Sequence, residues 1–476
     1  MRSSPALTIA TVLLACSCVA GKAGNPILSP SGEPSPSASA QPTSTPVPSP
    51  SRPNVLLIVA DDQRWDTLSV MPKTKRWIAD AGASFPHAMV ATPLCCPSRS
   101  SIFIGDYAHN TGVHDNGDTA WQVIPQSHTI QDELQGEGYQ TGIVGKYFNT
   151  WPLANRPPFF DRWAVFTPGE EGGGGYFGTV WNVDGTIVHP AAYSTDFAGN
   201  QGIRFLNAFE QQDSKPWFLY LAPFAPHGPA TPAPIYAYAP VPPFAPNPAV
   251  LEQDRSDKPP WNTIPTDSLA ESLTLRSDQF RALRSVDDMV GRVMRWLADH
   301  HEARNTLVIY IGDNGVLWGE HGLGHKGYPY LPDLRVPLMM RWPGHVAPGS
   351  IDGRLAGNID LAPTILDATG ATAHHPIDGR SLLRSWTRRV FLAESWRNPN
   401  PSFPAPTWGS LVTHRYQYVE YDRNGTLIYR EYYDLVHDPW ELSNLFADGI
   451  RGNEPNAKLL HARLGALRHC IGSACR

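Results

Sequence analysis

Residues 54–62 read NVLLIVADD, a continuous apolar and β-branched run that ends abruptly at two aspartates. Such a run is typical of a strand that is buried on both faces of a parallel sheet. Similar runs recur along the chain at residues 141–144, 217–221 and 307–311. Residues able to carry chemistry follow them, namely Gly145-Lys146, Pro226-His227 and Asp313-Asn314. Ligands bind at the carboxyl ends of strands in open α/β sheets, so the pattern predicts an α/β fold with a site at that edge.

Helical patterns separate these predicted strands. Apolar residues at helical spacing over 280–297 predict an amphipathic helix with one face on the sheet. Shorter helices are predicted at 130–134 and 363–369, each with a glycine within four residues of its end. The proline-rich segment 236–261 is predicted to be an irregular surface excursion near the site.

The alternation changes after about residue 385. Antiparallel strands are predicted at 411–413, 416–419 and 427–435, and a final helix at 456–469. Asn424-Gly425 is a strong hairpin-turn signal; with Thr426 it also forms a glycosylation sequon, but the turn requires no sugar. We therefore expect a main α/β domain at 53–385 and a smaller antiparallel α+β subdomain at 386–476.

The charge of the chain excludes two classes of protein. It carries 38 Lys and Arg against 44 Asp and Glu, a net charge of −6, and the basic residues form no run of five. A nucleic-acid binder or a polybasic membrane-surface protein would need such clusters.

The first 52 residues predict export. An apolar run at 6–15, too short to span a bilayer, follows Arg2 and is typical of a signal peptide over 1–23. Residues 13–16, LLAC, resemble a lipobox, so the alternatives are a lipid on Cys16 or simple cleavage near residues 20–23. Residues 24–52 are rich in Ser and Pro and predict an extended tether. The product is a secreted protein or a cell-surface lipoprotein that meets the membrane only through its lipid.

Cys470 and Cys475 lie close together near the end of the chain. In an exported protein this spacing favours a local disulfide. The alternative is a pair of free thiols, because two cysteines without a nearby His are weak evidence for zinc.

Two pairs of oxygen-bearing side chains predict a cation site. Asp61-Asp62 and Asp313-Asn314 each follow an apolar strand, and a turn there would let both carboxylates converge on one cation. Hard oxygen ligands favour Ca²⁺, or less readily Mg²⁺, over zinc. A single Asp-Asp pair is more often a turn or a helix cap, but its repetition at two strand ends favours the metal.

The string CCPSR at 95–99 is a second candidate. A Cys-x-Pro-Ser-Arg string arises by chance on the order of once in a thousand chains of this length. Pro97 suits the first turn of a helix running to Ile104, which would place Cys95 at an anion-attracting helix N-terminus. Arg99 could then reach oxygen ligands with its planar fork. In isolation such a string is more often part of a buried loop, so its weight depends on the two metal-ligand pairs.

Three basic residues are weaker candidates on their own. Lys146 and Lys326 follow glycine-containing segments, but a single lysine is usually a solvated surface charge. His227 lies between Pro226 and Gly228 after a predicted strand, which makes it a better candidate.

Together these motifs resemble the formylglycine-dependent (type I) sulfatases of the alkaline-phosphatase-like superfamily. The resemblance covers residues 54–446, and Ile104-Gly105 departs from the usual Thr-Gly of the signature. The matching segments, in the family's order, are 54–62, 94–105, 145–147, 225–228, 312–315, 335–338, 360–364 and 433–435. Residues 95–101, 145–147 and 225–227 look most similar to N-acetylglucosamine-6-sulfatases and related heparan-type endosulfatases.

The resemblance implies a role for each candidate. A formylglycine-generating enzyme would oxidise Cys95 to formylglycine, whose hydrate attacks the sulfur of a sulfated carbohydrate or other sulfate ester. The Ca²⁺ ligands would be Asp61, Asp62, Asp313 and Asn314, with the formylglycine facing the ion. Arg99 would hold the formylglycine, Lys146 and Lys326 would grip sulfate oxygens, and His227 would protonate the leaving alcohol.

Two further features qualify this assignment. Many members carry a histidine two residues after the lysine that matches Lys146, and this chain has Phe148 there, so the group that takes the second proton is unassigned. His114 and Asn116 follow the signature helix and are candidates for substrate contact, although a polar loop explains them equally well.

Two competing functions remain open from the sequence. Sulfate and phosphate esters are near isosteres, so the same scaffold could serve a phosphonate or phosphate (di)ester hydrolase. With an unmodified Cys95, the chain would instead be a tethered, catalytically idle lipoprotein that binds sulfated glycans.

Overall fold

The computed structural model describes residues 52–117, 120–168, 175–212, 214–262, 268–397 and 405–476. The predicted signal peptide, the lipid-accepting candidate Cys16 and all but the last residue of the predicted tether lie outside the described residues. Within the described ranges, no helix is both long enough and apolar enough to cross a membrane.

Strands and helices alternate through most of the chain. The strands are β1 (Asn54–Ala60), β2 (Ala83–Ser84), β3 (Gln140–Lys146), β4 (Arg162–Phe166), β5 (Trp181–Val183), β6 (Thr186–Val188), β7 (Trp217–Ala222), β8 (Thr306–Gly312), β9 (Leu317–Trp318), β10 (Gly324–His325), β11 (Leu338–Arg341), β12 (Ser350–Ile351), β13 (Phe391–Ser395), β14 (Thr407–Val412), β15 (Tyr416–Arg423) and β16 (Thr426–Asp434). The α-helices are α1 (Pro72–Thr74), α2 (Cys95–Ile104), α3 (Ala108–Thr111), α4 (Ala120–Val123), α5 (Ile130–Gly136), α6 (Ser194–Phe209), α7 (Leu269–Asp299), α8 (Leu331–Leu334), α9 (Leu361–Thr369) and α10 (Ala457–Leu467).

A ten-stranded mixed sheet, in the order β12-β2-β11-β8-β1-β7-β3-β4-β5-β6, forms the centre of the fold. Its middle five strands, β8 to β4, all run parallel. Strand β11 pairs antiparallel with β8 at one side, and β5 pairs antiparallel with β4 at the other. The four apolar runs are all central parallel strands, which confirms the predicted mainly parallel α/β class.

Strand β1 shows why the run at 54–62 has no polar alternation. Val55, Leu57 and Val59 pack in a core with residues of α2, α5 and α9 on one face of the sheet. Leu56 and Ile58 pack on the other face with residues of α6 and α7. Both faces are covered, so apolar side chains are required at every position.

The C-terminal residues form a separate four-stranded antiparallel sheet in the order β13-β14-β15-β16. The turn residues Asn424 and Gly425 have φ of 55° and 77°, as the hairpin signal predicted. A disulfide joins Cys470 to Cys475, which confirms the expected pairing. A third hydrophobic core joins this sheet to residues near the main sheet, including Met89 and Tyr330, and the division at 385/386 stays a prediction.

Candidate active site

Helix α2 places Cys95 at the carboxyl edge of the main sheet. The helix begins at Cys95 after the extended residue Leu94, with Pro97 in its first turn as predicted. Near its start, the Cys96 backbone N–H donates to Asn116 Oδ1 at 2.8 Å. The Ser98 hydroxyl donates to the Asp313 carbonyl, which ties the helix to the end of β8. The Cys95 side chain therefore lies where the ends of β1 and β8 meet.

Cys95 is fully buried among charged groups. Its Sγ lies 2.9 Å from Lys326 Nζ and 3.6 Å from Asp61 Oδ1. Burial raises the pKa of the Cys95 thiol to about 12, and the nearby ammonium groups of Lys146 and Lys326 offset only part of that rise. The unmodified side chain is thus a protonated thiol at neutral pH, which is a weak nucleophile.

The two pairs of strand-end residues converge as predicted. Asp62 has a φ of 60°, a left-handed conformation that lets the chain turn directly after Asp61. The Asp62 backbone N–H donates to Asp313 Oδ1 at 2.9 Å, and Asn314 Nδ2 donates to Asp62 Oδ1 at 2.7 Å. Single ligand atoms of Asp61, Asp62, Cys95 and His227 lie within 4.8 Å of one another.

Three buried cations face these acids. Lys146 Nζ donates to Asp61 Oδ2 at 2.6 Å, and Lys326 Nζ donates to Asp62 Oδ1. Arg99 donates through Nε to Asp313 Oδ2 at 2.9 Å. Its Nη1 donates to the Lys146 carbonyl at 2.9 Å and to the Tyr220 hydroxyl at 3.1 Å. One guanidinium thereby links the ends of β8 and β3 to the middle of β7.

Opposite charges favour the ionised forms of Asp61, Asp62 and Lys326. Burial alone would raise the pKa of Asp61, but Lys146 and its cationic neighbours lower it to about 2. Burial would likewise raise the pKa of Asp62, yet Lys326 and His227 bring it below its usual value. Burial opposes the charge on Lys326, but the surrounding acids hold its pKa well above the usual range.

Gly145 explains how Lys146 reaches this place. Its φ is 107°, in the region that only glycine adopts freely. A Cβ at this position would lie 1.9 Å from the Ala222 carbonyl oxygen on the neighbouring strand β7. The two strands can therefore approach closely, and Lys146 projects into the cluster from the end of β3.

His227 lies at the open side of the cluster. Its Nδ1 is 2.6 Å from the Gly228 carbonyl oxygen, which only accepts, so Nδ1 carries a proton. Its Nε2 lies 3.6 Å from Asp62 Oδ2. The ring is thus oriented with Nε2 toward the acids, and the buried Tyr176 hydroxyl donates to the His227 carbonyl at 2.6 Å.

A cavity of about 460 Å³ opens onto these groups. Asp62, His227 and Lys326 line it, with Glu271, Leu275, Gln279, Val316 and His325 among the other walls. This volume is within the range of small-molecule sites. A ligand group with the size of a sulfate ester could reach Lys326 and His227 together.

The donor set fits a hard divalent cation. The oxygens of Asp61, Asp62, Asp313 and Asn314 are of the kind that Ca²⁺ and Mg²⁺ prefer. The Lys326 ammonium already contacts Asp62 Oδ1 and lies 3.5 Å from Asn314 Oδ1, so these oxygens attract positive charge to one point. The Cys95 thiol is a soft group beside them, and an oxygen-bearing side chain there would make the set uniformly hard.

The structure places the remaining predicted residues around the cluster. The side-chain oxygen of Asn116 accepts a hydrogen bond from the Cys96 N–H. The His114 ring stacks on Trp396 with ring centroids 3.8 Å apart. Phe148 is fully buried against Tyr147 and Phe103, so its side chain belongs to the core and offers no base. Substrate contact by His114 and Asn116 stays a prediction.

Sequence reasoning missed residues that hold the site in place. Gln279, on α7, donates to the carbonyl oxygens of Asp62 and Pro226 at 3.3 and 3.2 Å, and accepts from Trp318 Nε1 at 2.6 Å. It joins the loop after β1 to the loop that carries His227. A buried amide beside the apolar face that begins at Phe280 is the only local signal, and spacing alone does not reveal its partners.

Comparison with protein-family models and curated proteins gives consistent results. Residues 53–371 match the Sulfatase model, and residues 319–469 match a model described as N-sulphoglucosamine sulphohydrolase, C-terminal. The chain is 30% identical to the N-acetylglucosamine-6-sulfatase of Capra hircus, covering 89% of this chain and 85% of that protein. It is 34% identical to the extracellular sulfatase SULF-1 homolog of Drosophila melanogaster, covering 70% of this chain but only 31% of that protein.

Solved structures share the fold. A protein crystallised in complex with its substrate D-glucosamine-2-N,6-O-disulfate superposes with a TM-score of 0.73 and 24% identity, over 87% of this chain and 97% of that chain. The phosphonate monoester hydrolase of Agrobacterium radiobacter superposes with a TM-score of 0.66 and 22% identity, over 87% of this chain and 94% of that chain. With two thirds of its length matching the family model, this chain belongs to the sulfatase family and has its alkaline-phosphatase-like fold.

Proposed function

We propose that the protein is a sulfuric ester hydrolase that removes sulfate from a sulfated sugar. Its nucleophile would come from formylglycine made at Cys95, and Asp61, Asp62, Asp313 and Asn314 would hold Ca²⁺. The observation that carries the proposal is the position of Cys95. Its Sγ faces Asp61 and Lys326 in a buried cluster of acids and cations that opens on a ligand-sized cavity.

The modified residue would supply the attacking hydroxyl, and the cation would draw charge from the sulfate oxygens. The chain's own residues bind and orient the ester. Lys146 and Lys326 remain protonated and lie beside Asp61 and Asp62, where they can donate hydrogen bonds to sulfate oxygens. His227 has its Nε2 toward the cluster. With both ring nitrogens protonated, it can deliver the Nε2 proton to the bridging oxygen, where charge builds as the S–O bond breaks, and keep its Nδ1 proton on the Gly228 carbonyl.

The names of relatives suggest the substrate class. The goat relative is an N-acetylglucosamine-6-sulfatase that this chain covers over most of both lengths. We therefore propose a 6-O-sulfated glucosamine as the substrate. Release of sulfate from a panel of defined saccharides tests this, and a preference for a sulfate at another position would contradict it.

Maturation and location follow from the same proposal. A formylglycine-generating enzyme would act on residues 95–99 before folding, because Cys95 and Arg99 are fully buried in the folded chain. We propose that the protein is exported, as a free protein or with a lipid on Cys16. The Cys470–Cys475 disulfide and the extracellular sulfatase relative support export.

Two measurements test the proposed chemistry. Mass spectrometry of the peptide containing Cys95, from protein made by its native host, should show formylglycine, and that protein should hydrolyse nitrophenyl sulfate. If the thiol persists, the protein is instead an idle, sulfoglycan-binding relative of these enzymes.

A second candidate function is hydrolysis of phosphonate or phosphate esters. The fold shared with phosphonate monoester hydrolases supports it, since sulfate and phosphate esters have similar size and charge distribution. Comparing kcat/KM for nitrophenyl sulfate with that for a nitrophenyl phosphonate monoester separates the two. A large preference for the phosphonate would overturn the sulfatase proposal.

A further inference from the structure

A second cavity, of about 610 Å³, is unusually rich in arginine. Its lining includes Arg354, Arg388, Arg389, Arg415, Arg463 and His414, and we call it the arginine cavity. Among the described residues that line it, Asp352 is the only acidic one. This concentration of positive charge contrasts with the net charge of −6 for the whole chain.

Two of the five guanidiniums are already neutralised. Arg354 donates to both oxygens of Asp352, and Arg388 donates to both oxygens of Asp360 at 2.7 and 2.8 Å. These pairs leave the lining without a free carboxylate, because Asp352 is occupied by Arg354.

The other three guanidiniums have no such partner. Arg389, Arg415 and Arg463 are exposed, and none forms an ion pair with any residue that the structure describes. They come from the segment before β13, the turn between β14 and β15, and helix α10. Three like charges from separate elements repel one another unless an anion lies between them. The planar fork of arginine suits the paired oxygens of a sulfate or carboxylate.

We call the buried charged side chains around Cys95 the catalytic cluster; they are Asp61, Asp62, Asp313, Arg99, Lys146 and Lys326. The arginine cavity and the catalytic cluster lie on the same edge of the main sheet. Strand β2 is antiparallel to β11, which is antiparallel to β8, so β2 and its parallel neighbour β12 run in the direction of β8. The carboxyl end of β12, where Asp352 and Arg354 follow, therefore faces the same way as Asp313. Three strand spacings separate β12 from β8, or about 14 Å.

A chain of cationic and aromatic side chains connects the two places. The Arg335 guanidinium lies over the Trp65 ring at 4.0 Å, close after Asp61 and Asp62 in the chain. Arg335 also donates to the Pro86 carbonyl at 2.8 Å. The next residue, His87, contacts the His414 ring of the arginine cavity with centroids 4.6 Å apart.

We propose that the arginine cavity binds a second anionic group of a sulfated polysaccharide whose sulfate ester occupies the catalytic cavity. The inference rests on the proposed function. The arginine cavity and the catalytic cavity both accept anions, and they are farther apart than the width of one sugar sulfate. This spacing suits a polymer that carries negative charges at intervals along its chain. A monosaccharide sulfate would reach only the catalytic cavity.

Binding to heparin tests this without turnover. The triple variant R389A/R415A/R463A is compared with R295A/R304A/R451A, which removes three exposed arginines outside the cavity lining. We expect the first variant to bind a heparin oligosaccharide at least tenfold more weakly at 0.1 M salt, and the second to bind within about twofold of the wild type. Equal weakening of both variants would show bulk charge attraction and overturn the proposal.

Enzyme kinetics and a DNA-binding control separate polysaccharide binding from other uses of the cavity. In the active enzyme the first triple variant should raise KM for a sulfated polysaccharide and leave hydrolysis of nitrophenyl sulfate unchanged; an unchanged polysaccharide KM would overturn the proposal. A duplex DNA that binds as tightly as heparin and loses as much affinity would assign the cavity to nucleic acid instead. Heparin binding requires no formylglycine, so loss of catalysis with intact, cavity-dependent binding would contradict only the proposed function.

Discussion

Two buried carboxylate clusters in this protein have opposite electrostatics. In the catalytic cluster, Asp61 contacts Lys146 at 2.6 Å, and the positive charges lower its pKa to about 2. In the C-terminal sheet, Glu431 is just as buried but accepts from three tyrosine hydroxyls, those of Tyr330, Tyr421 and Tyr433, at 3.0, 2.6 and 2.7 Å. Burial raises the pKa of Glu431, and these hydroxyls counter only part of the rise.

The difference lies in what each cluster is able to do. Neutral hydroxyls satisfy a carboxyl group geometrically, so the Glu431 cluster holds strands together and presents no charge to a ligand. In the catalytic cluster, three acids lie against three cations, at a cost in desolvation that hydrophobic residues would not incur. That cost is explained if the charges act on a ligand, and mutations in the two clusters should separate these roles.

Removal of the proposed nucleophile should have the largest effect. We expect Cys95→Ala to lower kcat by about 10⁴-fold or more while the protein stays folded, because no other group can supply the attacking oxygen. Sulfate release and the thermal unfolding midpoint measure the two effects. The matched control is Cys96→Ala, the same truncation one residue later at an equally buried position, with activity expected within about tenfold of wild type. Near-normal turnover by Cys95→Ala would rule out the assigned nucleophile.

Loss of Arg99 should combine lost activity with a large loss of stability. Arg99→Ala leaves Asp313 unpaired in a buried site, and breaking such a pair costs about 3–5 kcal/mol. Arg99→Lys should not restore this, since one ammonium cannot reach Asp313, the Lys146 carbonyl and Tyr220 together.

Urea unfolding measures the free energy of unfolding for each variant. Tyr220→Phe provides the control, because it removes a single hydrogen bond to Arg99 and should cost only about 1 kcal/mol. A loss for Arg99→Ala no larger than that for Tyr220→Phe would show that the catalytic cluster does not depend on this guanidinium.

The catalytic cluster was predictable from sequence to a degree that the Glu431 cluster was not. Apolar strands that end at Lys146 or just before Asp61 and Asp313 give both the fold and the shared edge, because parallel strands carry their carboxyl ends to the same side. Glu431 lies within an antiparallel strand, and its partner Tyr330 is remote in sequence. Nothing in the local pattern specifies such pairings.

Loop residues limit the prediction in the same way. Gln279 joins two loops across the sheet edge, and the arginine cavity draws residues from four separate segments. The sequence around Gln279 and around the arginines of the cavity carries turn or helix signals. It holds no information on which distant segment lies opposite. Side-chain burial at Phe148 also had to come from the structure, since a strand-following position can face either the cavity or the core.

The raised pKa of Glu431 predicts a pH dependence of stability. Above the ordinary glutamate value of 4.5, the unfolded chain releases this proton while the folded protein still holds it. Stability therefore falls as pH rises from 4.5 through the folded-state pKa. Glu431→Gln cannot titrate, so its stability relative to wild type should improve as the pH rises above 4.5 and level off once the folded-state pKa of Glu431 is passed. Urea unfolding of both proteins across this range checks the sign, and a constant or worsening difference would contradict it.

The smallest effect should come from the hairpin turn of the C-terminal sheet. Gly425 has a φ of 77°, but a Cβ added there would meet no atom within 4 Å. Gly425→Ala should therefore cost only the backbone strain of a left-handed alanine, about 1 kcal/mol, and leave sulfate release unchanged.

Gly145→Ala makes the same change at a φ of 107°, where the new Cβ would lie 1.9 Å from the Ala222 carbonyl oxygen. Strand β3 must then move away from β7 and carry Lys146 out of contact with Asp61, so this variant should lose both stability and activity. Equal stability losses for the two alanine variants would mean that the close approach of β3 and β7 does not position Lys146.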